Sequence, residues 1–389
     1  MILDLQSMTP SRRNATPKPH RRSLRVAGWG TKRLDSRLLK RTGSGVALLV
    51  LKDFQADSAT TCFRAVLNGQ SAQDRLRFLG FASAARAARE AAGNWDFMAP
   101  ARAIDAYLEQ AFPIVKEQVQ QRDRLRRIAV ARLALEHFWI SEPLPQDIRS
   151  LLPAFLDRLG TYLVDGGKPY LDDFFAKDVR YALGITLPAG ALQFDVGRIG
   201  PKLVAREMLR SRSFRVGISY LKALGWRRWY YEHMDLRAAR HFNAEGWTDH
   251  CLRMVEILRL NVDMAGIVGA GWFYDPALAE VSPGLSYIQK TQTRYGAFLL
   301  KLPTEPHHIE NALYRSASRR RLYEEGRYKP ACYMCVWPRK GVLRWVERLK
   351  HDAGAAFGAS GIPDAASDLP GTGSVFPGGA LAPSANGTA

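Results

Sequence analysis

Three groups of residues in this chain have the types and spacing to do chemistry. The first is Tyr230-Tyr231-Glu232-His233-Met234-Asp235. Read as a strand with period-two alternation, it places Tyr231, His233 and Asp235 on one face. An imidazole beside a carboxylate is the pairing a general base uses. The second is Trp272-Phe273-Tyr274-Asp275-Pro276, at the C-terminal end of the next expected strand. If the two strands are parallel neighbours, Asp275 opens at the same sheet edge as His233 and Asp235, where open α/β sheets place ligands. The third is the basic run Arg315, Arg319, Arg320 and Arg321, followed by Glu324, Glu325, Arg327 and Tyr328. Guanidinium groups near a helix start can hold phosphate or pyrophosphate. The plainer alternatives are a turn begun by Asp275-Pro276, a core histidine at 233, and a solvated helix face with Arg–Glu pairs.

Two other patterns predict different sites. Cys332-Tyr333-Met334-Cys335 is a lone CxxC without the second ligand pair that zinc requires. On a strand its thiols point to opposite faces, so two core cysteines are expected. His233-x-Asp235, then His307 or His308, then Arg319 resembles the HxD…H…R arrangement of non-haem iron, 2-oxoglutarate-dependent oxygenases. That resemblance implies two histidines and one carboxylate on iron, with the arginine holding the co-substrate. It also requires a jelly-roll of strands, which conflicts with a strong helical period at 247–260.

The elements that must position these residues follow from periodicity. Residues 43–165 read as mainly helical: the Ala/Arg-rich stretch 82–92, then Ile104, Leu108 and Phe112, then a helix from Val115 towards Ile140, and another over 146–164. After residue 170, strands are expected at Tyr181–Leu187, Ala191–Val196 and Trp229–Asp235. Trp247, Cys251, Met254 and Leu258 recur at steps of four, three and four, which predicts a helix capped by Asn243. Gly266–Tyr274, Ala297–Leu302 and Cys332–Trp337 read as buried strands. A helix beginning at Ser282-Pro283 and a helical stretch over Ile309–Gly326 fall between them. The expected fold is therefore mixed α/β (α+β). A helical portion, 43–165, packs on a sheet in 166–350, where strands and helices alternate, and the two portions read as one compact body.

Residues 1–42 carry 11 Lys/Arg against 2 Asp/Glu and few apolar residues, which reads as a disordered basic tail. Residues 351–389 are mostly Gly, Ala, Ser and Pro and read as flexible coil. The formal net charge is +19, and the segment between the tails is itself basic. Such a field favours anionic partners: a coenzyme A-like small molecule, or nucleic acid met through the basic tail or the run Trp226-Arg227-Arg228-Trp229-Tyr230. Four scattered cysteines make no disulfide framework. No run approaches the ~20 apolar residues of a membrane span, and no apolar segment follows Arg12-Arg13 or Arg21-Arg22 as a secretory signal would need. A cytoplasmic protein is the expectation.

The strand, helix, strand order of residues 229–350, with Gly266–Tyr274, the helix from Pro283 and Ala297–Leu302 as its centre, resembles the GNAT acyltransferase superfamily. The family's pyrophosphate loop, Arg/Gln-x-x-Gly-x-Gly/Ala, is not found; Ala279-Glu280-Val281-Ser282-Pro283-Gly284 stands in its place. The resemblance implies acyl transfer from acyl-CoA as co-substrate. His233 or Asp235 would act as base, Asp275 would orient the acceptor, and Arg319, Arg320 and Arg321 would bind phosphates.

Overall fold

The computed structural model describes residues 49–92, 96–113, 118–165, 170–235, 242–314 and 316–359, the side chains of His307 and 353–359 excepted. Its helices of eight residues or more are α1 (Asp57–Asn68), α2 (Phe81–Ala91), α3 (Ala99–Ala111), α4 (Val119–His137), α5 (Leu152–Val164) and α6 (Asp172–Ala182). The second half adds α7 (Pro201–Ser211), α8 (Arg215–Lys222), α9 (Ala244–Leu260), α10 (Ser286–Arg294), α11 (Pro306–Leu313), α12 (Ala317–Glu324) and α13 (Arg339–Ala359). The strands are β1 (Leu49–Val50), β2 (Trp139–Ile140), β3 (Leu187–Pro188) and β4 (Gln193–Arg198). They continue with β5 (Arg228–His233), β6 (Gly266–Gly271), β7 (Phe298–Lys301) and β8 (Tyr333–Pro338).

The fold is mixed α/β. Strands β3 to β8 form a six-stranded open sheet in the order β3-β4-β5-β6-β8-β7, and β1 pairs with β2 separately. Strands β5 and β6 are parallel, with Tyr230 opposite Ile267 and Glu232 opposite Gly269. The other neighbours in the sheet are antiparallel. The parallel pair sits at the centre and is joined by the crossover helix α9, as a parallel connection requires. Alternation along β5 sends Trp229 to one sheet face and Tyr230 to the other; both are fully buried. Trp229 joins Val268, Leu300 and Val336 in a core covered by α7 and α8. Tyr230 joins Ile267, Cys335 and Trp337 in a larger core that runs on into α1 to α6.

Helix α9 shows how sequence fixes an element here. Asn243 caps it, its Oδ1 accepting from the Gly246 amide at 2.8 Å. Asn261 closes it, its Nδ2 donating to the Ile257 carbonyl at 3.0 Å. Between them Trp247, Cys251, Met254 and Leu258 are all buried, while Glu256 is exposed and Arg253 half-buried. Replacing Leu258 by Ala is expected to destabilise the protein by ~2–5 kcal/mol, since the cavity left at a fully buried site cannot collapse completely. Denaturant unfolding measures it; a near-neutral value would show that this face is not core.

Several expectations are corrected. Tyr181 and Ala182 close helix α6 rather than open a strand, and only Leu187–Pro188 is extended. Trp139 and Ile140 leave α4 to pair with Leu49 and Val50. Strand β6 ends at Gly271, where Trp272–Tyr274 turn into a 3-10 helix. Ile309–Gly326 is two helices, α11 and α12, and α13 runs on to Ala359, into the segment read as tail. Residues 1–42, Arg315 and residues 360–389 lie outside the described residues. The sheet's rims are β3, two residues long and ending in Pro188, and β7. At β7 the Lys301 amide donates to Glu207 Oε2 of α7 at 3.3 Å.

Candidate functional site

His233 is the last residue of β5 and does meet a carboxylate, but that of Asp195 on the neighbouring β4 rather than Asp235. Antiparallel register sets Asp195 opposite Tyr231, so the imidazole reaches it diagonally, Nε2 to Oδ2 at 2.9 Å. Arg180 of α6 also pairs with Asp195, and donates from Nε to Thr186 Oγ1 at 3.2 Å. Phe97 packs beside both, its ring 4.9 Å from the imidazole and 4.8 Å from the Arg180 guanidinium. Burial alone would raise the Asp195 carboxyl. The charges and hydrogen bonds of His233 and Arg180 outweigh it and hold the group down to about 2. Asp195 and Arg180 are buried, whereas the His233 side chain keeps 24% of its surface exposed. With Nε2–H given to Asp195, Nδ1 holds the lone pair. Such an arrangement can serve as an oriented base, on a side chain that keeps part of its surface exposed.

A cavity of about 380 Å³ lies between helices α5 and α6, with Asp235 in its wall. Helix α5 contributes Arg158, Leu159 and Tyr162, helix α6 contributes Asp178 and Tyr181, and Asp235 follows β5. Asp178 accepts from Tyr170 Oη at 2.7 Å and Asp235 from Tyr181 Oη at 3.1 Å. Asp235 is therefore a buried wall residue, not the partner of His233. Asp195, Arg180, Phe97 and Asp178 escape a sequence reading because they reach the β5 end only through strand register and the packing of α6.

Asp275 stands apart from this base. Its Oδ1 accepts from the Ala277 amide at 3.1 Å and its Oδ2 from the Ala331 amide at 2.9 Å, so it pins two loops together. The three arginines do not converge. Arg319 turns inward, donating to the Ala312 carbonyl at 2.6 Å and to Ser282 Oγ at 3.0 Å, its guanidinium 4.7 Å over the Trp272 ring. Arg320 and Arg321 are exposed; Arg320 donates to the Tyr314 carbonyl at 3.3 Å, and Arg321 lies 3.8 Å from Glu325. One helical step of about 100° between successive residues spreads them around α12.

Behind β5, on the opposite face, lies a fully buried polar network. Glu232 Oε1 meets His250 Nε2 at 2.7 Å, His250 Nδ1 meets the Ala189 carbonyl at 3.3 Å, and Tyr274 Oη donates to Glu232 Oε2 at 3.3 Å. Tyr274 reaches it because β6 has a glycine there: a Cβ at Gly269 would lie 2.1 Å from Tyr274 Oη. These bonds tie α9 and β6 to the strand that ends in His233.

The remaining patterns resolve as follows. Cys332 and Cys335 are buried and unbridged; Cys335 donates to Gln292 Oε1 at 2.8 Å. Burial pushes the Cys332 thiol up to about 11 and Cys335 well above its ordinary value, so neither is a nucleophile. In the HxD…H…R pattern, His308 Nδ1 instead accepts from the Glu305 amide at the start of α11. Among the described residues no three His, Cys, Asp or Glu side chains are grouped to hold a metal. In the aromatic–basic run, Trp229 and Tyr230 are core and Arg228 pairs with Glu142, leaving Trp226 and Arg227 exposed. No described helix is long and apolar enough to cross a membrane.

Comparison with known proteins leaves the chain to its own geometry: no family model, no curated protein and no solved structure matches it.

Proposed function

We propose that this protein is an acyltransferase that takes its acyl group from a coenzyme A thioester and passes it to an amine or hydroxyl. The observation that carries this reading is the base at the carboxyl end of β5, His233 oriented by Asp195, with Asp235 two residues further on lining a cavity of about 380 Å³. Acyl transfer needs the acceptor's proton removed as its nitrogen or oxygen attacks the thioester carbon. His233 Nδ1 takes that proton as the nitrogen or oxygen bonds to the thioester carbon, the carbon–sulfur bond breaks, and the imidazolium returns the proton to the departing sulfur, so that coenzyme A leaves as the thiol. Asp178 and Asp235 stand in the cavity wall, holding the hydroxyls of Tyr170 and Tyr181.

The central unit that the GNAT resemblance implies, Gly266–Tyr274, the helix from Pro283 and Ala297–Leu302, does not form an adjacent strand pair. Strands β6 and β7 are not neighbours, because β8 lies between them. The adjacent parallel unit is β5, α9, β6, whose strand carboxyl ends and helix amino end lie towards one edge of the sheet, the kind of place where open α/β sheets receive anionic groups. Thioester phosphates would belong there rather than at Arg319, Arg320 and Arg321. Four unbridged cysteines suit a reducing compartment, and we place the reaction in the cytoplasm. Acyl-CoA at about 100 times its dissociation constant is expected to add ~2.7 kcal/mol of stability, read as a rise in Tm. No rise with short, medium or long acyl chains at saturation would set the reading aside.

A further inference from the structure

Helix α8 is amphipathic the wrong way round for a helix wholly served by its own core. Val216, Tyr220 and Ala223 face the sheet with the residues that pack around Trp229. On the opposite side Phe214, Ile218 and Leu221, at steps of four and three, form a second apolar stripe that faces solvent. Phe214 is 76% exposed and Leu221 59%. Leu209 near the end of α7, 80% exposed, and Trp226 after α8, 53% exposed, extend the apolar surface. Large apolar side chains gathered in this way mark an interaction surface rather than scattered exposure.

The charge around the stripe selects the partner. Residues 201–227 contain seven Lys/Arg and a single acidic residue, Glu207. Glu207 is buried and bonded to Arg210, so it does not offset the field. Arg206, Arg212, Arg215, Lys222 and Arg227 are all exposed. A second copy of the chain would bring the same positive rim against itself, which disfavours self-association through this face. Nucleic acid would use the cations but leave Phe214, Ile218 and Leu221 in water. A bilayer with anionic headgroups uses both: acyl chains take up the apolar side chains while the headgroups meet the arginines and lysine.

We infer that the α7–α8 face docks the protein peripherally on an anionic lipid surface, with Phe214, Ile218, Leu221 and Trp226 entering the headgroup boundary. This stands independently of the acyl-transfer reading. The test is co-sedimentation of the full chain with vesicles of phosphatidylcholine alone and with phosphatidylglycerol added. Binding is expected to the mixed vesicles and to be about tenfold weaker to the neutral ones. The variant Phe214→Ser/Ile218→Ser/Leu221→Ser, which alters exposed positions and no charge, is expected to lose about tenfold in binding with its Tm unchanged. Arg215→Glu/Lys222→Glu is a second variant and should weaken binding to mixed vesicles only. Undiminished binding by the triple variant would assign the attraction to the basic residues 1–42 and overturn the inference. Equal binding to both vesicle types, no binding to either, or a triple variant that loses single-stranded nucleic acid while keeping lipid would overturn it as well.

Discussion

Replacing His233 by Gln is expected to lower kcat for the proposed acyl transfer by about 10²- to 10⁴-fold with little change in Tm, because the ring sits at a partly exposed strand end and its loss would remove the proposed base. Thiol release from acyl-CoA measures it. Replacing Asp195 by Asn should act on both quantities. It removes the group that orients the imidazole, and it leaves Arg180 buried without its carboxylate. The pH dependence separates the two roles. Asp195 titrates at about 2 in the folded protein, below the ordinary value of 3.8. A depressed carboxyl contributes stability that is fully present above its unfolded pKa and lost as pH falls through the folded one. The wild type should therefore lose on the order of 2 kcal/mol between roughly pH 5 and pH 2 through this group, and Asp195→Asn should lack that part of the acid limb. If His233→Gln keeps wild-type kcat while acyl-CoA still raises Tm, the base lies elsewhere.

Replacing Glu232 by Ala should give the largest loss of stability of any single change near the site, about 3–5 kcal/mol. Glu232 and His250 are both sealed from water, with side-chain exposures of 1% and 0%. Removing the carboxylate leaves an imidazole and the Tyr274 hydroxyl without their partner in a space that water does not reach. The double replacement Glu232→Leu/His250→Leu should recover much of that loss, because both polar groups leave together. Urea unfolding of the three proteins measures it. A single variant within about 1 kcal/mol of wild type would mean the network contributes little beyond neutral hydrogen bonds. Because Glu232 precedes His233 on β5, the single change should also lower turnover by loosening the strand end.

How far the sequence carried this picture depends on whether a signal was local. Helix α9 was legible from end to end, since Asn243, the apolar period and Glu256 on the wet side are all properties of one segment. Strand β5 was legible from its bulky alternating residues, and His233 with it. The partner of His233 was not, because Asp195 lies 38 positions away and meets it only through the β4–β5 register. Asp235 was the nearer carboxylate in sequence but falls just beyond the strand, where alternation stops. Tyr181, Leu183, Ile185 and Leu187 alternate like a strand. Asp172 and Asp173 in the first turn, and burial of α6 on several sides, make the beginning of that segment helical instead. The arginines at 319–321 are adjacent in sequence but not in space, because a helix turns each successive side chain by about 100°.

Glu207 has a role that reaches beyond its pairing with Arg210. An open sheet ends in two rows of backbone groups, each able to template a strand from another molecule. Here one row is cut to two residues and finished with Pro188, which has no amide hydrogen to offer. The other row, on β7, has the Lys301 amide already taken by the Glu207 carboxylate, with α7 and α8 laid alongside. One rim is thereby short and the other partly occupied. Fibrillar stacking or capture of an extended peptide would begin from a shortened or partly occupied margin at these rims, which favours partners met through side chains.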